Sequence, residues 1–286
     1  MKIKYINHLG EEINLSKPPL MLEPVNSYNY YWEYEETAAQ KNGIKIGGFY
    51  RSKKEVSMPM FIRGVDANGR GNLEAFNQAL RLFFETVEKD IIAKIPGKLV
   101  LSNGEYITCY IVEVSHSNFA PRYRLDQREI KIVSPYPFWI TESKKSFAPV
   151  SREETEGEFL DYPYDYSYDY SYETPGIRTW NLDHYATSEF KLTIYGYCEN
   201  PRILVNGYPY QIFGTVEENE FLVIDSREKT VTHYLNNGTT ENWFDFRNKE
   251  NSVFEPLPSG NLTLTWDGTY GFDILAYLER SEPRWT

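Results

Sequence analysis

Two hydrophobic rhythms divide the chain. In GNLEAFNQALRLFFETVEKDI (71–91), Leu73, Phe76, Leu80, Phe83, Phe84 and Val87 recur at helical spacing and form one apolar stripe. Asn72 precedes the stripe as an N-cap, Glu74 suits the positive first turn, and Pro96-Gly97 end the pattern. Elsewhere the period is two. GKLVLSNGEYITCYIVEV (97–114) reads as a hairpin turning at Asn103-Gly104, after which Ile107, Cys109 and Ile111 alternate with Thr108, Tyr110 and Val112. REIKIVS (128–134) is a further strand, and PYPFW (135–139) interrupts it with two prolines.

The stretch ITESKKSFAPVSREETEGEFL (140–160) is charged and only weakly periodic, as a connection would be. Beyond it the chain is strand and turn. EFKLTIYGY (189–197) alternates, and NPRILVNGYPYQIFG (200–214) has a turn at each end of its first strand. Residues 220–244 read as two strands joined around Ser226–Glu228, followed by a turn at Asn237-Gly238. In the closing stretch (260–285), Phe272, Ile274 and Ala276 alternate with Asp273, Leu275 and Tyr277, so one set fills a core; Trp266 and Trp285 are large enough to anchor it. Short strands, frequent turns and no strong helix predict a β-sandwich. The organisation is therefore mainly β: residues 1–140 a β-rich domain with one α-helix, 141–160 a linker, 161–286 the sandwich.

At the start of that second domain stands DYPYDYSYDYSYET (161–174), with Tyr162, Tyr164, Tyr166, Tyr168, Tyr170 and Tyr172 at every second position. An extended chain puts all six rings on one face over about 33 Å. Pro163 makes it an edge strand or an unpaired strip. Six exposed rings in a row would be an adhesive stripe, so a joint between the two domains is the reading taken for these tyrosines. A sugar-stacking ladder is its rival.

Composition narrows the function classes. Hydrophobic residues make up 41% and charged ones 25% of 286, which is the balance of a globular protein. Aromatics reach 16%, and Tyr favours strands and interfaces. A net charge of −11 argues against wrapping DNA and suits a passage better than a grip. Cys109 and Cys198 match no zinc spacing and read as reduced, partly buried thiols. MKIKYINHLGEEINL has no long apolar core, so no signal peptide is expected, and no run is long enough to insert in a membrane. Synthesis and folding in the cytoplasm follow as the expectation.

Reactive chemistry finds little support. There is no G-x-S-x-G elbow and no phosphate loop; His8, His116, His184 and His233 are scattered without metal or triad spacing. Asp161, Asp165 and Asp169 would align only on a helix, which Pro163 opposes, and no glycine turn makes a calcium loop. No catalytic, cofactor or metal site is assigned. Asn200-Pro201-Arg202 is similar to the end of the galectin sugar motif, but Cys198 stands where the motif has histidine, and Phe246 stands third after Trp243 where it has a charged residue. A turn with Arg202 at its solvated exit is the preferred reading.

In order and spacing, a set of marks along the whole chain resembles the distal tail proteins of long-tailed phages and prophages of Gram-positive bacteria. The marks are YINHLGEEINL, GGFYRSKKEVSMPMFIRG, the helix, SPYPFW, YGYCENPRILVNGYPYQIFG, FLVIDSREKTV, LPSGNLTLTWDG and ERSEPRW. The resemblance implies a ring-forming N-terminal domain and a galectin-like C-terminal sandwich. It implies a homo-hexameric hub at the virion tail tip, with no enzyme activity and no cofactor. The hub would join the tail-tube protein to the tail-tip protein, carry receptor-binding proteins outward and let DNA through without specific binding. On that reading the strands between Ile44 and Gly64 form the belt between subunits, with Phe49, Arg51, Val56, Met58 and Met60 as interface candidates. A lectin-like adhesin that recognises the host wall directly is the competing class, and a tail-tip enzyme the third.

Overall fold

The computed structural model describes residues 2–23, 29–38, 42–65, 70–120, 125–150 and 176–284. The chain divides into two compact units, Met1–Thr141 with Glu279–Thr286, and Glu142–Leu278. Both are built mainly of antiparallel strands.

In the first unit eight strands form one curled sheet. Their order across it is Glu12–Asn14, Ile3–Ile6, Gly97–Leu101, Tyr106–Ala120, Leu125–Ser134, Lys54–Arg63, Leu20–Leu22 and Ser16–Lys17, every pair antiparallel. Register shifts at Gln127/Arg128 and Lys131/Ile132 bend the long pair, as bulges do. Leu15 closes the curl: its N–H donates to the Ile3 carbonyl at 2.9 Å, and its own carbonyl accepts from Leu22 at 2.8 Å. The hairpin foreseen at Asn103-Gly104 is present, with Gly104 at φ +85° where a side chain would be strained.

The helix runs Leu73–Ala93. Asn72 caps it, its Oδ1 accepting the N–H groups of Glu74 and Ala75, and Lys94 ends it in the left-handed conformation. Phe76, Ala79, Phe83 and Val87 face the core, with Leu80 and Phe84 at its margin. Leu73, which the stripe includes, is 56% exposed at the first helical position. Gly64 lets the helix start come close: a Cβ there would lie 2.2 Å from the Asn72 carbonyl oxygen.

The second unit is a two-layer sandwich. One layer takes Thr240–Asn242, Thr230–Tyr234, Phe221–Asp225, Glu189–Tyr195 and Phe272–Arg280; the other takes Gly176–Leu182, Gly260–Trp266, Arg202–Val205 and Tyr208–Gln211. Between them lie Phe190, Leu192, Ile194, Leu222 and Ile224 from one layer and Leu182, Ile203, Val205, Leu262 and Leu264 from the other. Phe272, Ile274 and Ala276 are the inward set of the closing strand. Trp266 is buried edge-on to Phe272, and its indole N–H donates to the Tyr270 carbonyl at 3.0 Å.

The boundary between the units differs in character from a linker. The strand Trp139–Phe147 occupies the first residues of the stretch 141–160, and the change of unit falls inside it. A second change falls between Leu278 and Glu279, within the strand Phe272–Arg280. Sequence alternation carries no mark of such crossings, since a strand reads the same on either side. Residues 151–160, the tyrosine strip 161–174 with the joint candidates Tyr162, Tyr164, Tyr166, Tyr168, Tyr170 and Tyr172, and Trp285 lie outside the described residues.

Candidate docking surface

The first unit carries a ribbon of two strands, Glu33–Ala38 and Ile44–Tyr50, that forms its own small antiparallel sheet. Its side chains pack poorly against the chain's own core: Phe49 is 63% exposed and Ile44 51%, and Tyr34, Ile46 and Tyr50 are exposed as well. Tyr34 and Phe49 face each other across the ribbon, ring centroids 6.4 Å apart and edge-on. The register shift at Gly47 brings Ile44 and Ile46, paired with Ala38 and Glu36, onto the same face as Tyr34 and Phe49, so one face presents an apolar stripe. An isolated two-strand ribbon is marginal in water, and contiguous apolar exposure is a feature of interaction surfaces.

Arg51 fixes the base of the ribbon. Its guanidinium carbon lies 4.9 Å from the Tyr31 ring centroid, 5.3 Å from Trp32 and 5.6 Å from Phe138. Its Nε donates to the Tyr31 carbonyl at 2.8 Å, and Nη1 to the carbonyls of Pro137 at 2.9 Å and Ser281 at 3.2 Å. Only a planar fork of donors with stackable faces makes these contacts together. Tyr136 packs on Phe138 and donates its hydroxyl to Glu279 Oε2 at 2.6 Å. SPYPFW thus supplies Phe138 to the rings around the arginine and the Pro137 carbonyl as an acceptor, with Tyr136 packed on Phe138. Beside it Tyr30, Trp32 and Phe49 line an open hollow of about 570 Å³.

The interface candidates separate by position. Phe49 is on the ribbon, Arg51 at its base, and Val56 half-buried on the strand that follows. Met58 and Met60 are within the core, 1% and 0% exposed, so their side chains are taken up by packing inside the unit. Lys54–Met58 pairs on one side with Ile130–Ser134. Sequence reading missed Tyr30, Trp32 and Phe138; the run YNYYW (28–32) was the available signal, with aromatics too dense for a solvated loop.

The remaining chemistry is dispersed. His8 lies 2.6 Å from Asp90, His116 3.4 Å from Asp126, and buried His233 2.9 Å from Glu220. Among the described residues no three His, Cys, Asp or Glu side chains gather to hold a metal, and no helix is long and apolar enough to cross a membrane. Cys109 and Cys198 are free, fully buried thiols whose pKa burial pushes up to about 12. Asn200-Pro201-Arg202 is a turn: Asn200 is left-handed, at φ +45°, and its Oδ1 accepts from the Gly214 N–H.

No protein-family model matches the sequence, and no curated protein matches it either. Solved structures do match over nearly the whole chain. The Dit protein of phage SPP1, described as a paradigm of the hub adsorption apparatus in phages infecting Gram-positive bacteria, superposes with a TM-score of 0.59 at 8% identity, covering 98% of both chains. A chain of the phage P2 baseplate, in its activated conformation with Ca, gives 0.60 at 13% identity and 99% coverage of both. The same baseplate with Sr gives 0.59 at 14% identity, again with 99% coverage of both. The chain therefore has, from end to end, the fold of the SPP1 Dit hub protein and of a chain of the P2 baseplate.

Proposed function

We propose that the protein is a structural hub of a phage tail tip, a distal tail protein whose copies close into a six-fold ring. The ring joins the tail tube to the tail-tip proteins, leaves a central opening for DNA, and carries attachment proteins on its outward sandwiches. It works in the virion, and it acts by assembly, without catalysis or cofactor.

The observation that carries this reading is the exposed ribbon Glu33–Tyr50. A closed ring needs two different patches that meet head to tail. The ribbon supplies one: an exposed apolar face of Tyr34, Ile44, Ile46 and Phe49, held at its base by Arg51. The match to two phage structures over almost the full length is independent support.

Native mass spectrometry and electron microscopy of the purified protein test the proposal. Six chains of 33.6 kDa give a particle of about 200 kDa with a central opening. A monomer at tens of micromolar, with no ring in micrographs, would overturn it.

A further inference from the structure

The second unit holds a groove of about 700 Å³ on the sandwich edge, along residues 244–254 and Lys229. In a protein of net charge −11, three cations converge there: Lys229, Arg247 and Lys249. One carboxylate, Glu250, lines it with them. Among the described residues neither Arg247 nor Lys249 forms an ion pair, and Lys229 reaches Glu189 only at 3.7 Å.

The groove is built on rigid supports. Arg247 bridges to Ile212, the Asn248 N–H donates to the Gln211 carbonyl at 3.0 Å, and the Phe213 N–H donates to the Phe246 carbonyl at 2.8 Å. These bonds lay the segment along the outer strand Tyr208–Gln211. Further along, the hydroxyls of Tyr208 and Tyr210 donate to the carbonyls of Ser252 and Glu255. The Arg247 guanidinium lies 3.6 Å from the centroid of the Phe244 ring, and Nη1 donates to the Phe244 carbonyl. Phe244 in turn stacks on Phe254, and the Lys229 ammonium lies 5.7 Å from the Phe254 ring. Held flat against a ring, the guanidinium loses little freedom when it takes up a ligand.

We infer that this groove binds phosphate groups carried on a flexible polyol or sugar polymer. A planar guanidinium with donors to spare pairs with an oxyanion through two parallel hydrogen bonds, and Lys249 and Lys229 add point charges on either side. Nucleic acid fits less well: of the two rings that line the groove, Phe244 is covered by Arg247 and Phe254 is buried, so neither is free to stack on a base. An acidic peptide is less suited because spaced phosphates match three separate cations without needing an apolar anchor. The inference stands apart from ring formation, since every residue it uses lies in the second unit.

The full-length protein, titrated calorimetrically with a poly(glycerol phosphate) oligomer at 50 and 200 mM salt, tests it. Binding should weaken at the higher salt, and neutral dextran of equal length should not bind. Arg247→Ala with Lys249→Ala should weaken binding by about tenfold or more, and Arg247→Lys by less, because it keeps the charge and loses the fork. Should the double variant fail to fold, Lys249→Glu alone, on an exposed side chain, should give a clear loss. No binding by the parent protein, affinity unchanged in the variants, or tighter binding of polyglutamate or duplex DNA than of the phosphate polymer would each overturn the assignment. The particle mass, measured on the same samples, reports the ring separately.

Discussion

The Tyr5 hydroxyl donates to Asp90 Oδ2 at 2.5 Å, tying the first strand of the chain to the last turn of the helix. Asp90 is fully buried, and its other oxygen accepts the His8 N–H at 2.9 Å. Gly97 leaves room for the pair: a Cβ there would sit 2.5 Å from both the Asp90 oxygen and the Tyr5 hydroxyl. Burial, then the bond to Asp90, push the Tyr5 pKa far above the ordinary phenol value, so it stays a donor in alkaline solution. Tyr5→Phe keeps the ring and strips Asp90 of one partner. The first unit should lose about 1–3 kcal/mol in urea unfolding, and Gly97→Ala should lose more. Parent-like stability in Tyr5→Phe would show the bond to be dispensable.

Lys54 gives a prediction in pH. It is buried with its ammonium 5.9 Å from the Trp139 ring centroid, and burial first, then the nearby Arg51 charge, lower its pKa to about 8. Between about pH 8 and the ordinary lysine value of 10.5, the unfolded chain holds a proton that the folded chain has released. Stability therefore rises with pH across that window. Melting of the parent and of Lys54→Met at pH 7, 8 and 9 should show the rise in the parent and a flatter profile in the variant. The variant should also be the more stable at pH 7. Parallel profiles would contradict the assignment.

Phe49 and Met58 make a contrast within one segment. Ile46→Ser with Phe49→Ser alters exposed positions and should shift unfolding by no more than about 0.5 kcal/mol per site, yet the ring should dissociate. Met58→Ala opens a hole in the core and should cost about 2–5 kcal/mol. Sedimentation velocity together with urea unfolding separates the two. Rings of normal mass from the serine variant would move the contact off the ribbon.

Trp266 anchors the sandwich through Phe272, Phe147 and the Tyr270 carbonyl. Trp266→Ala should cost the second unit about 3–5 kcal/mol and split the calorimetric melt, with the sandwich unfolding first. A single transition shifted as a whole would mean that the units melt as one.

Local pattern was legible in the sequence wherever one residue's neighbours decide its state. Asn72 capped the helix and Phe272, Ile274 and Ala276 filled the sandwich because cap chemistry and strand period act over a few residues. Long-range placement was not legible. Nothing near Ser281 signals that its carbonyl will meet Arg51, 230 residues earlier. Nor does alternation distinguish Met58, which faces the core, from Phe49, which faces outward, because both stand in apolar-rich strands. The exposure of the ribbon and the burial of Met58 and Met60 thus came only from the fold. The groove at Arg247 left still less trace, since its cations come together through the bridge to Ile212.

The return of Glu279–Arg284 to the first unit has a consequence for the order of events at the ribosome. Ser281 supplies an acceptor to Arg51, Glu279 one to Tyr136, and the Arg284 N–H donates to buried Glu105. None of these contacts exists until the whole sandwich has been synthesised. The half that starts first is therefore finished last. A nascent chain lacks the completed Arg51 platform until translation has passed the sandwich.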